Sequence, residues 1–242
     1  MKIYLSEVDE KRFGIATAKL SIDPNEDFLE AFSWCEGRKV KFLIARISAE
    51  EIQTAQKMEH AGFFLTDTLV YFRKKHVNYP AFNLSSGYSW RLATPADADA
   101  VEYLAKQTFV GYSGHYHADQ KLDIKDCDLV YSSWATNSCK DKSLADAVIL
   151  IFKEAELAAF ATLKKVEEYM CEGVLFGVGP KHQGKGLYDA LMNLAQQWAI
   201  EAHYSQMIVS TQITNLAVQK VWCRHGFEPF KSYYTFHKWF PQ

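Results

Sequence analysis

Residues 174–188, VLFGVGPKHQGKGLY, place a glycine-rich turn between an apolar run and a helical one, an arrangement suited to holding phosphates. Val174, Leu175, Phe176, Gly177 and Val178 form a β-prone run that Gly179 and Pro180 end, and Gly184 and Gly186 then precede a helical pattern over 187–202. Glycines let the backbone approach an anion closely, and the first-turn N–H groups of a helix have no partner within it. With the helix dipole they suit a pyrophosphate, and Lys185 adds a positive charge. The string is neither GxGxxG nor GxxxxGK[ST], so the same residues also fit an ordinary strand-to-helix turn.

Residues 109–119, FVGYSGHYHAD, are the second chemically loaded stretch. Tyr112, His115, Tyr116, His117 and Asp119 fall within eight residues of one another. In an extended segment His115 and His117 face the same way, with Asp119 two further on. The pattern fits a histidine general base oriented by a carboxylate, polar groups that grip sugar hydroxyls and a diphosphate, or a His-x-His metal pair. No further ligand cluster supports the pair, so no metal is expected; an exposed loop with incidental histidines is the plain alternative.

The elements that must position these groups follow an α/β order. After the turn come a helix, a strand near 206–211, a second helix opened by Asn215 and closed at His225, Gly226 and Phe227, and a strand over 233–239. Before it lie a strand near 89–93, a helix over 97–107 capped by Thr94 and Pro95, a helix near 126–136, and strands over 147–153 and 156–165. An offset of 164 positions lays Trp34 on Trp198, Ala31 on Ala195, Ile44 on Ile208, Gly62 on Gly226, Phe63 on Phe227 and Phe72 on Phe236 without a gap. The first copy has Asp23, Pro24, Asn25, Glu26 and Asp27 where the second has its glycine turn. Residues 1–80 are therefore expected to form a degenerate half-domain and 81–242 a complete one, joined across the Asn-, Pro- and Ser-rich stretch 76–89.

Gln183, Gly186 and Tyr188, followed by the Asn215-led helix and Gly226-Phe227, resemble the acyl-carrier signature of the GNAT acyl-CoA N-acyltransferases. The resemblance implies a mixed twisted sheet flanked by helices, with acyl-CoA as cosubstrate. It implies that Phe176, Gly177 and Val178 pair with the pantetheine arm, that Gln183, Gly184, Lys185, Gly186, Leu187 and Tyr188 hold the pyrophosphate, and that Asn215 bonds the pantetheine. Two positions depart from the family pattern. Tyr188 stands where Gly or Ala is usual and sets a ring beside the phosphates; Trp222 stands where many relatives carry a Tyr that protonates the departing thiolate. An indole N–H is no titratable acid.

The string TQITNLAVQKVWCRHGF over 211–227 and the Tyr/His loop make the chain similar to the branch that acylates dTDP-linked amino-dideoxy sugars for surface polysaccharides, with acetyl or 3-hydroxybutyryl as the acyl group. That resemblance implies Tyr112, His115, Tyr116, His117 and Asp119 at the sugar nucleotide. His117, then His115, is expected as base, with Asp119 orienting the ring and Tyr234 or Tyr233 replacing the missing acid. Acylation of another small amine or a protein, and a non-catalytic acyl-CoA sensor, are the alternatives.

Composition agrees with an ordinary globular protein: 242 residues, 48% hydrophobic, 14% aromatic, net charge −2. That charge argues against a nucleic-acid footprint, and no run is long and apolar enough to span a bilayer, so a cytoplasmic monomer or homodimer is expected. Five scattered cysteines without a C-x-x-C pair are expected as reduced thiols.

Overall fold

Apolar periodicity places most elements of the second half where the sequence expects them. The structure, a computed structural model, describes residues 1–22, 26–75, 82 and 84–241. The N-terminal elements are β1 (Lys2–Leu5), α1 (Glu7–Phe13), β2 (Thr17–Ser21), α2 (Glu30–Gly37), β3 (Phe42–Ser48), α3 (Ile52–His60) and β4 (Phe64–Lys75). Then follow β5 (Tyr88–Leu92), α4 (Ala98–Thr108), α5 (Ile124–Lys140), β6 (Ala147–Lys153), β7 (Glu156–Glu167), β8 (Met170–Val178), α6 (Leu187–Glu201), β9 (Gln206–Gln212), α7 (Leu216–Arg224) and β10 (Glu228–Trp239). Residues 23–25, in the counterpart of the glycine turn, and residues 76–81 and 83 of the expected join lie outside the described residues.

Among the described residues all ten strands form one mixed sheet in the order β1-β2-β3-β10-β4-β9-β8-β7-β6-β5. The pairs β2/β3 and β8/β9 are parallel, and the other neighbours antiparallel. The 164-residue offset lays β3, α3 and β4 end for end on β9, α7 and β10. The two sequence units interleave: β10 lies between β3 and β4, and β4 between β10 and β9. Residues far apart in the chain thereby share one sheet face.

Helices cover both faces because strand residues alternate. On β6 and β7, Ile149, Ile151, Ala159 and Ala161 pack against α6, while Val148, Leu150 and Phe160 pack against α4 and α5. On β3, Leu43, Ala45 and Ile47 meet α2 and α3, while Phe42 and Ile44 meet Tyr116, Leu122 and Cys127. Helix α6 repeats its buried residues at helical spacing, Leu187, Ala190, Leu191, Leu194, Ala195 and Ala199. Each buried leucine there contributes about 1.5–3 kcal/mol relative to exposure, enough to seat the helix firmly behind the glycine turn. Asp123 caps α5 by accepting from the Lys125 N–H at 2.9 Å, which starts that helix two residues before the expected 126.

One local defect shapes the centre of the sheet. Leu163 pairs with Gly173 and Thr162 with Leu175, leaving Val174 as an extra residue on β8. The bulge swaps which face the following side chains take: Cys171 packs on the α6 side, whereas Leu175 packs on the α4/α5 side. Strands β8 and β9 pair only from Met170/Gln206 to Gly173/Val209, and then part.

Candidate active site

The parting strands leave residues 175–178 of β8 paired with β7 on one edge and free of β9 on the other. This exposes a row of backbone groups to which an extended polar chain can add. Gly177 lies on that row because a Cβ there would sit 2.4 Å from the Phe160 ring. The Gln183 side-chain amide donates to the Val178 carbonyl at 3.4 Å, tying the turn to the strand end. Gly184 (φ 72°) and Gly186 (φ 76°) take left-handed conformations with open space where a side chain would be. The first recorded helical bond, Ala190 N–H to the Gly186 carbonyl, leaves the N–H groups of Leu187, Tyr188 and Asp189 ahead of the i to i−4 ladder. Lys185 is exposed beside them. Asn215 opens α7 next to the gap and donates to Thr211 Oγ1 at 3.0 Å. Apart from the Tyr188 side chain, the residues expected at the cosubstrate lie along one path, from the free edge of β8 to the start of α6, and its open, donor-rich geometry fits a pantetheine diphosphate.

Tyr188 is not turned toward the phosphate turn, as its place in the signature led us to expect. Its ring packs on Phe176, centroids 5.6 Å apart, and its hydroxyl accepts from the Trp222 indole N–H at 3.2 Å. Helical spacing accounts for this, since the second residue of α6 shares a face with the buried Leu191 and points inward. Burial raises the Tyr188 phenol, which stays protonated.

On the opposite side of the gap, residues 109–119 fold over the sheet as a series of turns. His117 N–H bonds the Gly114 carbonyl and Asp119 N–H the Tyr116 carbonyl. That turn geometry overrides the extended arrangement expected for the two histidines. His117 accepts from the Gly114 N–H at 3.2 Å and reaches Asp128 at 3.2 Å, while Asp119 does not touch it. Asp119 accepts instead from His237 Nδ1 at 2.8 Å and from the Trp239 indole at 2.9 Å, and His237 Nε2 lies 2.9 Å from His115 Nδ1. Burial alone would raise the Asp119 carboxyl; the bonds from His237, the Lys121 N–H and Trp239 outweigh it and hold the group below its usual range. Burial, then the neighbouring His237 and Arg46, keep His115 well below the ordinary histidine value and therefore neutral. Tyr116, expected at the substrate, is buried and donates to Asp9 at 2.8 Å, where Ser6, Lys19 and Arg12 also converge. It pins the loop to α1. Tyr112 donates to the Gln212 side chain at the open end of β9 and meets Tyr131 edge-on at 4.9 Å.

Interleaved strands add groups that the sequence reading missed. Arg46 of β3, Asp67 and Tyr71 of β4, Glu172 of β8, Ser210 of β9 and Tyr233 of β10 pave the sheet beside this loop. Thr235 pairs with both Arg46 and Asp67, Tyr71 pairs with Ser210 and stacks edge-on with Tyr233 at 5.5 Å, and Ser210 donates to Glu172 at 3.4 Å. Burial pushes both the Asp67 and the Glu172 carboxyls up. The alternation Tyr233, Thr235, His237, Trp239 was a period-2 signal for this face, but the pairing that gives it meaning is long-range. Tyr234, expected as an acid, is directed the other way and packs with Phe236 on the N-terminal core. All five cysteines are free; burial pushes the thiols of Cys35, Cys127 and Cys139 up to about 11 and Cys171 up to about 12, so none of these four is an activated nucleophile.

The 164-residue offset makes α2 and α3 the counterparts of α6 and α7, and a cleft of about 730 Å³ lies between Phe28, ahead of α2, and Thr54 and Lys57 on α3. Glu26, Asp27 and Glu51 line it, so a pyrophosphate would meet carboxylates there. Among the described residues no helix is long and apolar enough to cross a membrane.

A parallel pair prised apart by a bulge, with a glycine turn at one end and a polar floor across the gap, frames the candidate site. The chain belongs to the acetyltransferase (GNAT) family, which matches residues 99–227, just over half of it, and whose members use acyl-CoA. It is 24% identical over 203 residues to the spore coat polysaccharide biosynthesis protein SpsD of Bacillus subtilis (strain 168), an alignment covering 82% of this chain and 66% of that one. The chain thus spans just under two thirds of that relative's length. A GCN5-related N-acetyltransferase from Sphaerobacter thermophilus superposes with a TM-score of 0.68 at 14% identity, covering 98% of this chain and 76% of the other. A tandem GNAT protein from the clavulanic acid biosynthesis pathway gives 0.65 at 14% identity, covering 95% and 77%. These two likenesses concern the fold alone.

Proposed function

We propose that the protein transfers an acyl group, acetyl or 3-hydroxybutyryl, from acyl-CoA to the amino group of a dTDP-linked amino-dideoxy sugar used in a surface polysaccharide. The observation that carries this reading is the gap between β8 and β9, which has phosphate-binding geometry on one side and an aromatic, hydrogen-bonding floor on the other. Arg46, which makes no ion pair among the described residues, offers that floor a cation for a diphosphate, and Tyr71, Tyr112, Tyr131 and Tyr233 offer rings and hydroxyls to a sugar nucleotide. The similarity to a spore coat polysaccharide biosynthesis protein supports the same acceptor class.

Acyl-CoA supplies the activated acyl group. The edge of β8 at 176–178 aligns the pantetheine arm, and one of its N–H groups polarises the thioester carbonyl. An acceptor amine titrating near 8 is about one-tenth neutral at pH 7, so a weak base suffices. Hydrogen-bond chemistry favours His115 for that task over His117. Ionised Asp119 makes His237 donate from Nδ1, His237 Nε2 then accepts from His115 Nδ1–H, and His115 Nε2 is left with its lone pair. The proton leaving the amine goes to that nitrogen.

Calorimetric titration with dTDP tests the acceptor assignment. Micromolar binding that Arg46→Ala weakens tenfold or more supports it; absence of binding by any nucleoside diphosphate, with acylation of simple amines intact, contradicts it.

A further inference from the structure

The two departures from the family pattern are bonded to each other. Trp222 occupies the place of the usual acid and Tyr188 the place of a small residue, and the indole N–H lies 3.2 Å from the phenol oxygen. An indole has a donor and no acceptor, so Trp222 gives this hydrogen bond and Tyr188 receives it. The phenol's own proton is thereby directed elsewhere. Two contacts say where. The Tyr188 ring rests on Phe176, which belongs to the arm of β8 that β9 has left. Trp222 is buried against Phe72, centroids 5.4 Å apart, and cannot turn outward. Tyr188 itself is only partly buried. The ring on Phe176 and the indole on Phe72 thus hold the Tyr188 hydroxyl between α6 and α7, beside the arm of β8 that β9 has left.

Resting on the acyl-CoA reading above, we propose that Tyr188 is a catalytic residue whose hydroxyl protonates the departing thiolate, with the Trp222 indole holding the phenolate that results. The amine nitrogen bonds the acyl carbon and the C–S bond breaks, sulfur keeping its electron pair. The Tyr188 proton moves to sulfur, the amine's proton goes to His115, and solvent carries a proton from His115 back to the phenolate. The products are amide and free thiol, and both side chains return to their starting states. The acid has moved from one helix to the other, and the tryptophan that displaced it has become its partner.

The test needs no acceptor. CoA labelled with 13C on the carbon that bears sulfur is bound to the wild type, to Tyr188→Phe and to Trp222→Phe, and the thiol is titrated by NMR. A phenol that donates to sulfur stabilises the thiolate, so Tyr188→Phe is expected to raise the pKa of the bound thiol by about one unit or more. Trp222→Phe, which keeps the phenol, should raise it by less. A purely structural tyrosine predicts no change, because phenylalanine preserves the ring contact with Phe176. With an acceptor in hand, Tyr188→Phe should lower kcat roughly a hundredfold with little change in KM for acyl-CoA, and Tyr188→Phe with Trp222→Tyr should recover at least a tenth of the wild-type rate. An unshifted thiol in Tyr188→Phe overturns the assignment while leaving the transferase intact. Failure of the wild type to bind CoA overturns the acyl-CoA reading and this one with it.

Discussion

His115 Nδ1 lies 2.9 Å from His237 Nε2, although 122 residues separate the two in the chain. The contact exists because β10 inserts between β3 and β4 and brings a histidine from the end of the chain under a loop from its middle. With Asp119 behind His237, the row sets which nitrogen of each ring carries a proton.

Replacing Asp119 with Asn removes the negative charge that fixes that row. The Trp239 indole donates to the same oxygen as His237, so the amide oxygen takes that place, and His237 loses the charged acceptor that holds its proton on Nδ1 and leaves Nε2 to accept from His115. We expect kcat to fall by about 10²-fold with KM for acyl-CoA unchanged. His117→Asn, whose ring is held by Gly114 and Asp128, should stay within about threefold of the wild type. Steady-state rates of the two variants decide between the histidines.

Stability should depend on pH through the same residues. His115 and His237 both have folded values lowered from 6.5, chiefly by burial. The unfolded chain therefore takes up these protons first. Stability is full above 6.5 and is lost as pH falls through that value toward the folded ones. The raised carboxyls of Asp67 and Glu172 act in the opposite sense below neutrality, so the comparison is between the wild type and His115→Gln. Between pH 7.5 and 5.5 the Tm of the wild type should drop more than that of the variant.

Gly186→Val should lower affinity for CoA tenfold or more while the far-ultraviolet circular dichroism stays unchanged. At φ 76° a β-branched residue costs about 1–2 kcal/mol in backbone strain, and relieving it moves the donors of the α6 N-terminus. No steric obstacle in the protein itself blocks the new side chain, since the space around Gly186 is open.

Gly177→Ala tests the strand side of the gap through stability. The added methyl would sit 2.4 Å from the buried Phe160 ring, and overpacking of this kind costs about 1–3 kcal/mol. Urea titration should show a lower midpoint with an unchanged slope.

Local signals made much of this legible. Strand β6 falls on 147–153, as its apolar run requires, and the helix after Gly186 starts where the turn leaves it. The glycine turn follows the free arm of β8 because strand, turn and helix are contiguous in sequence, and Asn215 opens α7 just after β9, the strand that parts from that arm. Other features had no local signature. Asp119 was paired with the wrong histidine because neighbours in an assumed extended segment were weighed, whereas its partners, His237 and Trp239, come from β10. Arg46 and Asp67 carry no local signature in the sequence; strand exchange lays them beside Thr235. Val174, an ordinary apolar residue in sequence, is the bulge that parts the central strands.

The central claim is tested most directly by thiol release from acetyl-CoA and 3-hydroxybutyryl-CoA, offered with dTDP-linked 3- and 4-amino sugars, simple amines and N-terminal peptides. The account predicts release with a dTDP-linked amino sugar far above every other acceptor. Release with simple amines or peptides alone, or binding of CoA with no release on any acceptor, would contradict it.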